Sequence, residues 1–95
     1  MKSALTAAEI EKALQNHPKW KLTEGKLSRE WTFRDFVEAI SFVNKVAPIA
    51  EAAGHHPDID IRYNRVILSL VSHDAGGITQ RDVAMAAQLS DEFQE

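Results

Sequence analysis

Histidines are the residues of this 95-residue chain best suited to acid–base chemistry, and two of its four are adjacent. His55 and His56 lie between Gly54 and Pro57, and His73 follows seventeen positions after His56. An imidazole ring gains and loses a proton near neutral pH, so a group of such rings suits a reaction in which one proton arrives and another leaves. The chain has no cysteine, which excludes thiol nucleophiles, disulfides and Cys-ligated zinc.

Residue types and spacing leave three interpretations of these histidines open. In the first, His55 and His56 form a polar turn and His73 is a solvated strand end. The second is a zinc site of three histidines and a water, although an adjacent pair is a poor chelate because neighbouring side chains do not share a face. The third is metal-free acid–base catalysis of an elimination or an isomerisation.

Two carboxylates could support the histidines. Glu51 lies one helical turn before His55 and is close enough to orient an imidazole, but a solvated helix-end carboxylate explains it equally well. Asp82 occupies the third position of a predicted helix, where it also serves as a cap. His17 precedes Pro18 at a helix end, where a cationic side chain suits the helix dipole, and we assign it no catalytic role.

Hydrophobic periodicity predicts the elements that must position these side chains. Helical spacing predicts three helices, the first beginning at the capping box of Thr6 and Glu9 and the last capped by Thr79. Period-two alternation predicts two hairpins, of which the second turns near Asn64 and returns His73 towards the histidine pair. We therefore expect one α+β domain over residues 1–95, with a four-stranded antiparallel sheet, three helices packed on one face and the order α-β-β-α-β-β-α.

The central helix carries apolar residues on two sides, so we expect it to bury both, one of them against the sheet and the other against a second subunit. Pro48 lacks the amide that would bond to the carbonyl of Asn44, which predicts a kink or an early end to the regular helix. Gly54 is the expected C-cap. Trp20 and Trp31 are expected in the core.

The bulk composition narrows the function classes. With 11 basic and 14 acidic residues and no run of like charge, a direct nucleic-acid surface is not expected. Hydrophobic residues make up 44% of the chain, but no apolar run approaches the ~20 residues of a membrane span. The first residues lack the apolar core of a secretion signal, so we expect a cytoplasmic protein without a membrane partner.

Seven positions share the spacing of one known signature: Glu51, His55, His56, Pro57, Tyr63, His73 and Asp82. This pattern resembles that of the pterin-4a-carbinolamine dehydratases, also known as the dimerisation cofactor of a homeodomain transcription factor. The segments TFRDFVEAISFVNKVA, YNRVILSLVSH and GGITQRD resemble the central helix, the last hairpin and the run into the final helix of that family. The resemblance therefore covers nearly the whole chain.

The resemblance implies a hydro-lyase that converts 4a-hydroxytetrahydropterin to quinonoid dihydropterin and water, recycling the pterin of aromatic amino acid hydroxylases without a metal or an organic cofactor. His55 and His73 would be the acid–base groups and His56 would bind and orient the pterin, with Glu51 and Asp82 in support. The implied substrate-binding residues are Gly54, His55, His56, Ser72, His73 and Asp74. The chain departs from the family pattern at Gly54, where Asp is common, and at Ile59, where an aromatic residue is common.

The resemblance also implies protein partners. It predicts a homodimer through sheet edges or a homotetramer through the central helices, and a hydroxylase or a transcription factor as a further partner. Because a fold does not fix a function, a protein-binding or transcriptional coactivator module on the same fold is the alternative to an enzyme.

Overall fold

The computed structural model describes residues 4–93, so the ends of the expected domain, residues 1–3 and 94–95, lie outside the described part. The described residues form the predicted order of elements, and the α+β prediction is confirmed. The elements are α1 (Ala7–Leu14), β1 (Lys21–Thr23), β2 (Lys26–Thr32), α2 (Phe36–Ala53), β3 (Asp58–Arg62), β4 (Arg65–Leu70), a 3-10 turn (His73–Ala75) and α3 (Gln80–Glu92). No helix within residues 4–93 is long and apolar enough to cross a membrane.

The sheet has the strand order β1-β2-β4-β3, and all neighbouring strands are antiparallel. The two central strands pair Leu27 with Leu70 and Trp31 with Val66, which places these large apolar side chains on the same face. That face is buried, together with Leu68, under apolar residues of the three helices. One covered face and one more open face explain the period-two alternation of β4.

Arg29 lies on the buried face of β2, where periodicity alone would predict an apolar residue. It is only 6% exposed, and its guanidinium carbon lies 4.1 Å from the ring centroid of Trp31, a cation–π geometry. Its Nη1 donates to Oγ of Ser90 at 3.4 Å, and the indole N–H of Trp20 donates to the same oxygen at 3.1 Å. Both tryptophans are buried, as predicted.

Helix α2 leads directly into the histidine pair, so the way in which it begins and ends determines where His55 and His56 lie. The carboxylate of Asp35 caps the first turn by accepting from the backbone N–H of Glu38 at 2.9 Å. The helix runs through Pro48 and continues to Ala53, so the predicted early end is wrong. Pro48 has no N–H to donate to the carbonyl of Asn44, and Asn44 is itself an exposed residue.

Gly54 ends α2 as predicted, with a φ of 65° in the left-handed region. A Cβ added there would meet nothing within 4 Å, so the cost of Gly54→Ala is conformational and not steric. We expect Gly54→Ala to lower the free energy of unfolding by about 1–2 kcal/mol in urea titrations. Gly54→Asn is the matched control, because Asn tolerates this conformation better, and equal losses in the two variants would contradict the explanation.

The second hairpin closes with the two-residue turn Tyr63-Asn64, near the predicted position. Tyr63 adopts a positive φ of 56°, as this kind of tight turn requires. The turn is tied to the chain preceding α2, because the N–H of Phe33 donates to the carbonyl of Asn64 at 2.8 Å and Nδ2 of Asn64 donates back to the carbonyl of Phe33 at 2.9 Å. This closure fixes the register that returns β4 alongside β3.

Candidate active site

The candidate site lies where α2 passes into β3 and where β4 ends. The first pair in the β3–β4 register is Asp58 with Ser69. Because the strands are antiparallel, the residues before Asp58 run alongside those after Ser69. His55 and the segment that begins at Ser72 therefore lie beyond the same end of the β3–β4 pair, although they come from different elements.

His55 is held by a buried carboxylate. Its Nε2 lies 2.6 Å from Oδ1 of Asp82, and the His55 side chain keeps 11% of its surface exposed while that of Asp82 keeps none. The other oxygen of Asp82, Oδ2, accepts from the backbone N–H of Thr79 at 2.8 Å and so completes the capping box of α3. The capping and supporting roles considered for Asp82 are therefore carried by different oxygens of one side chain.

Two hydroxyl groups complete the surroundings of Asp82. Oγ of Ser72 donates to Oδ2 of Asp82 at 2.9 Å and lies 2.8 Å from Oγ1 of Thr79. Both Ser72 and Thr79 are buried. The hydroxyl of Ser72, expected to border a substrate, is thus hydrogen-bonded inside the protein.

His56 lies on the surface beside its own carboxylate. Its Nε2 is 2.7 Å from Oε1 of Glu51, and these side chains are 62% and 80% exposed, respectively. Glu51 therefore contacts His56, whereas Asp82 contacts His55. An ion pair this exposed contributes little to stability, about 0–1 kcal/mol, but it can orient a ring.

His73 and Asp74 are exposed in the 3-10 turn that follows Ser72. This turn is closed by Ser72 and Gly77, which exchange backbone hydrogen bonds of 3.0 and 3.3 Å. It is also tied to α3, because the guanidinium of Arg81 donates to the carboxylate of Asp74. The segment that carries His73 is thus anchored to the helix start that holds His55.

The contact between Arg81 and Asp74 could not be predicted from the sequence. Arg81 is seven positions from Asp74 across a loop, a spacing that belongs to no regular element, so no periodic pattern predicts the contact. The only available signal was its position next to Asp82 in the segment GGITQRD.

No histidine lines either of two concave regions in the part of the chain that the structure describes. A groove of about 750 Å³ lies on the open face of the sheet between Lys21, Ser28 and Ser69. A cavity of about 340 Å³ lies against the aromatic rings of Phe42 and Phe93. Among residues 4–93, no group of three or more His, Cys, Asp or Glu side chains is arranged to hold a metal ion.

Comparisons with known proteins show the family of the chain. The pattern of the family described as pterin 4 alpha carbinolamine dehydratase matches residues 3–92. A protein of Acidobacterium capsulatum, provisionally named a pterin-4-alpha-carbinolamine dehydratase, is 59% identical over 85 residues, 90% of this chain and 92% of the relative. A protein of Koribacter versatilis with the same provisional name is 50% identical over 96% of this chain and 97% of its own length.

A solved structure is similar over almost the same range. The crystal structure of a transcriptional coactivator/pterin dehydratase from Brucella melitensis superposes with a TM-score of 0.85 at 33% sequence identity. The similarity covers 94% of this chain and 97% of that one.

Proposed function

Because this chain belongs to the pterin 4 alpha carbinolamine dehydratase family, we propose that it converts 4a-hydroxytetrahydropterin to quinonoid dihydropterin and water by metal-free acid–base catalysis on histidine. The observation that carries the proposal is the contact between His55 and Asp82, in which a buried carboxylate holds a nearly buried imidazole. A ring held in this way is prepared to exchange protons through its remaining nitrogen.

The reaction requires one proton donor and one proton acceptor. The bond between C4a and its hydroxyl oxygen breaks, and the hydroxyl takes a proton and leaves as water. N5 gives up its proton, and the electron pair on N5 forms the new double bond to C4a. Protons balance between the two groups of the protein, so the reaction consumes no oxidant or reductant and needs no nucleophile.

The described side chains supply suitable groups for both transfers. His55 and His73 are assigned the proton transfers, because they reach the site from separate segments that are both anchored to the start of α3. His56 is assigned binding and orientation of the pterin, with Glu51 fixing its ring. The exposed Gly54 and Asp74 are assigned to the border of the pterin site.

The direct test measures decay of the 4a-carbinolamine absorbance with purified protein treated with a chelator. We expect an acceleration of about 10²–10⁴ over the uncatalysed decay, the usual contribution of positioned acid–base groups. The matched control is His17→Ala, because His17 lies between α1 and β1 and β1 is at the sheet edge opposite β3. Absence of acceleration in the chelated protein, with recovery on adding zinc, would contradict metal-free catalysis.

A second candidate function is a protein-binding module. It is favoured by the description of the Brucella melitensis protein as a coactivator as well as a dehydratase, at 33% identity over 97% of that chain. The two functions separate in a variant that lacks the imidazoles of both His55 and His73. A protein partner that co-purifies with this variant as well as with the unchanged chain would support the binding module, whereas turnover should vanish.

A further inference from the structure

We propose that Thr79 and Ser72 are positioning residues whose hydroxyls, acting through Asp82, lock His55 in the tautomer that carries its proton on Nε2. The atom of His55 that exchanges a proton with the substrate is then Nδ1. The kinetic part of this inference rests on the proposed function, but the hydrogen-bond assignment concerns the protein alone.

The direction of each hydrogen bond follows from the donors and acceptors available. A carboxylate at neutral pH only accepts, so Ser72 must spend its single hydroxyl proton on Asp82. In the 2.8 Å contact between the two hydroxyls, the oxygen of Ser72 is therefore the acceptor and Thr79 is the donor. The oxygen of Thr79 in turn accepts from the backbone N–H of Arg81 at 3.2 Å. The hydroxyl of Thr79 therefore donates to Ser72, and the hydroxyl of Ser72 donates to Asp82.

The tautomer of the His55 ring follows from the same donors and acceptors. With Asp82 accepting at both oxygens, the 2.6 Å contact with His55 requires a proton on Nε2. A neutral imidazole carries only one ring proton, so Nδ1 has the free electron pair and is the nitrogen left for the substrate.

Burial protects the hydrogen bonds around Asp82 from exchange with water. Ser72, Thr79 and Asp82 are at most 4% exposed, so water does not compete for their hydrogen bonds. If the hydroxyl of Ser72 were absent, Asp82 would lose one of the donors that fix its orientation, and the ring of His55 would lose its fixed partner. The effect on the reaction should appear in turnover and not in substrate binding, because neither hydroxyl faces the solvent.

Nuclear magnetic resonance of the protein with ¹⁵N-labelled histidine tests the tautomer directly. Long-range ¹H–¹⁵N correlations should show the Nε2–H form for His55, with its signals identified by their loss in His55→Gln. In Ser72→Ala we expect a mixture of both tautomers, a kcat about tenfold lower and a KM changed less than about twofold. Thr79→Ala should also mix the His55 tautomers and lower kcat. Thr79→Ser, which keeps the hydroxyl, should restore both the single tautomer and kcat.

The matched control is Thr6→Ala. Thr6 caps α1 through a capping box of the same kind as that of Thr79. Within residues 4–93, its hydroxyl accepts from the backbone N–H of Glu9 and makes no hydrogen bond with Ser72, Asp82 or His55. We expect Thr6→Ala to melt earlier while keeping the His55 tautomer and the rate.

The outcomes separate this inference from the proposed function. An Nδ1–H form in the unchanged protein, or a folded Ser72→Ala that keeps both tautomer and kcat, would overturn the inference. The expected tautomer in a protein without dehydratase activity would uphold the hydrogen-bond assignment and reject the proposed function.

Discussion

Replacing His55 and His73 together by alanine is expected to return the decay of the 4a-carbinolamine to its uncatalysed rate. The two imidazoles are assigned the two proton transfers of a single elimination, and no other histidine lies in the segments around the end of β4 except His56, which is committed to Glu51. Each single variant should lose about 10²-fold in kcat, because either proton transfer alone is worth about that much. The rates are measured by following the carbinolamine absorbance in a stopped-flow instrument.

The combined loss should fall short of the product of the single losses. When two groups act in one step, removing the first already disables most of what the second contributes. His17→Ala again provides the control for removing an imidazole elsewhere in the fold. A folded double variant that keeps more than about a tenth of the acceleration would contradict the assignment of both histidines, since losses near tenfold are too small for positioned acid–base groups.

Replacing Asp82 by alanine is expected to lower the free energy of unfolding by about 3–5 kcal/mol, because several buried donors lose the one charged acceptor that they share. The loss leaves the N–H of Thr79, the hydroxyl of Ser72 and the ring N–H of His55 without their buried acceptor. Each unsatisfied donor costs about 1–3 kcal/mol, although rearrangement recovers part of the sum. A domain of this size has only about 5–15 kcal/mol to lose, so urea titration should show a large shift of the midpoint.

Asp35→Ala is the matched control for this prediction. Asp35 also accepts a backbone N–H at a helix start, but its side chain is 41% exposed and holds no histidine. Its loss should cost about 1 kcal/mol, the usual value for an N-cap. Equal destabilisation by Asp82→Ala and Asp35→Ala would show that the buried network adds nothing beyond a cap. Asp82→Asn should fall between them, because its amide oxygen still accepts while its NH₂ group opposes one of the donors.

Local patterns predicted most of the fold. The capping box of Thr6, the C-cap at Gly54 and the turn near Asn64 each depend on residues close in the chain, which is why sequence alone could place them. Arg29 and the through-helix position of Pro48 could not be predicted in this way. The position of Arg29 depends on the ring of Trp31, a contact that the hydrophobic period of the strand does not indicate, and α2 continues through Pro48 although the carbonyl of Asn44 loses its usual amide.

The candidate site was predictable in its residue types but not in its pairings. Spacing brought His55, His56 and His73 into one hypothesis, and the resemblance to the family signature added Ser72 and Asp82. Whether Glu51 contacts the first or the second histidine depends on how the chain leaves α2, which the sequence does not encode locally. The burial of Ser72 depends on the loop that Gly77 closes, so its hydrogen bonds within the protein could not be predicted from local sequence.

The two oxygens of Asp82 have a consequence for how this chain can change over evolutionary time. In most capping boxes the third helical residue can be exchanged between Glu and Gln, because either side chain accepts from the N-cap backbone N–H. Here Asp82 closes the first turn of α3 and also holds His55. A substitution that the helix tolerates would therefore still remove the partner of the His55 ring. Any redesign aimed at a more stable α3 must therefore leave Asp82 in place.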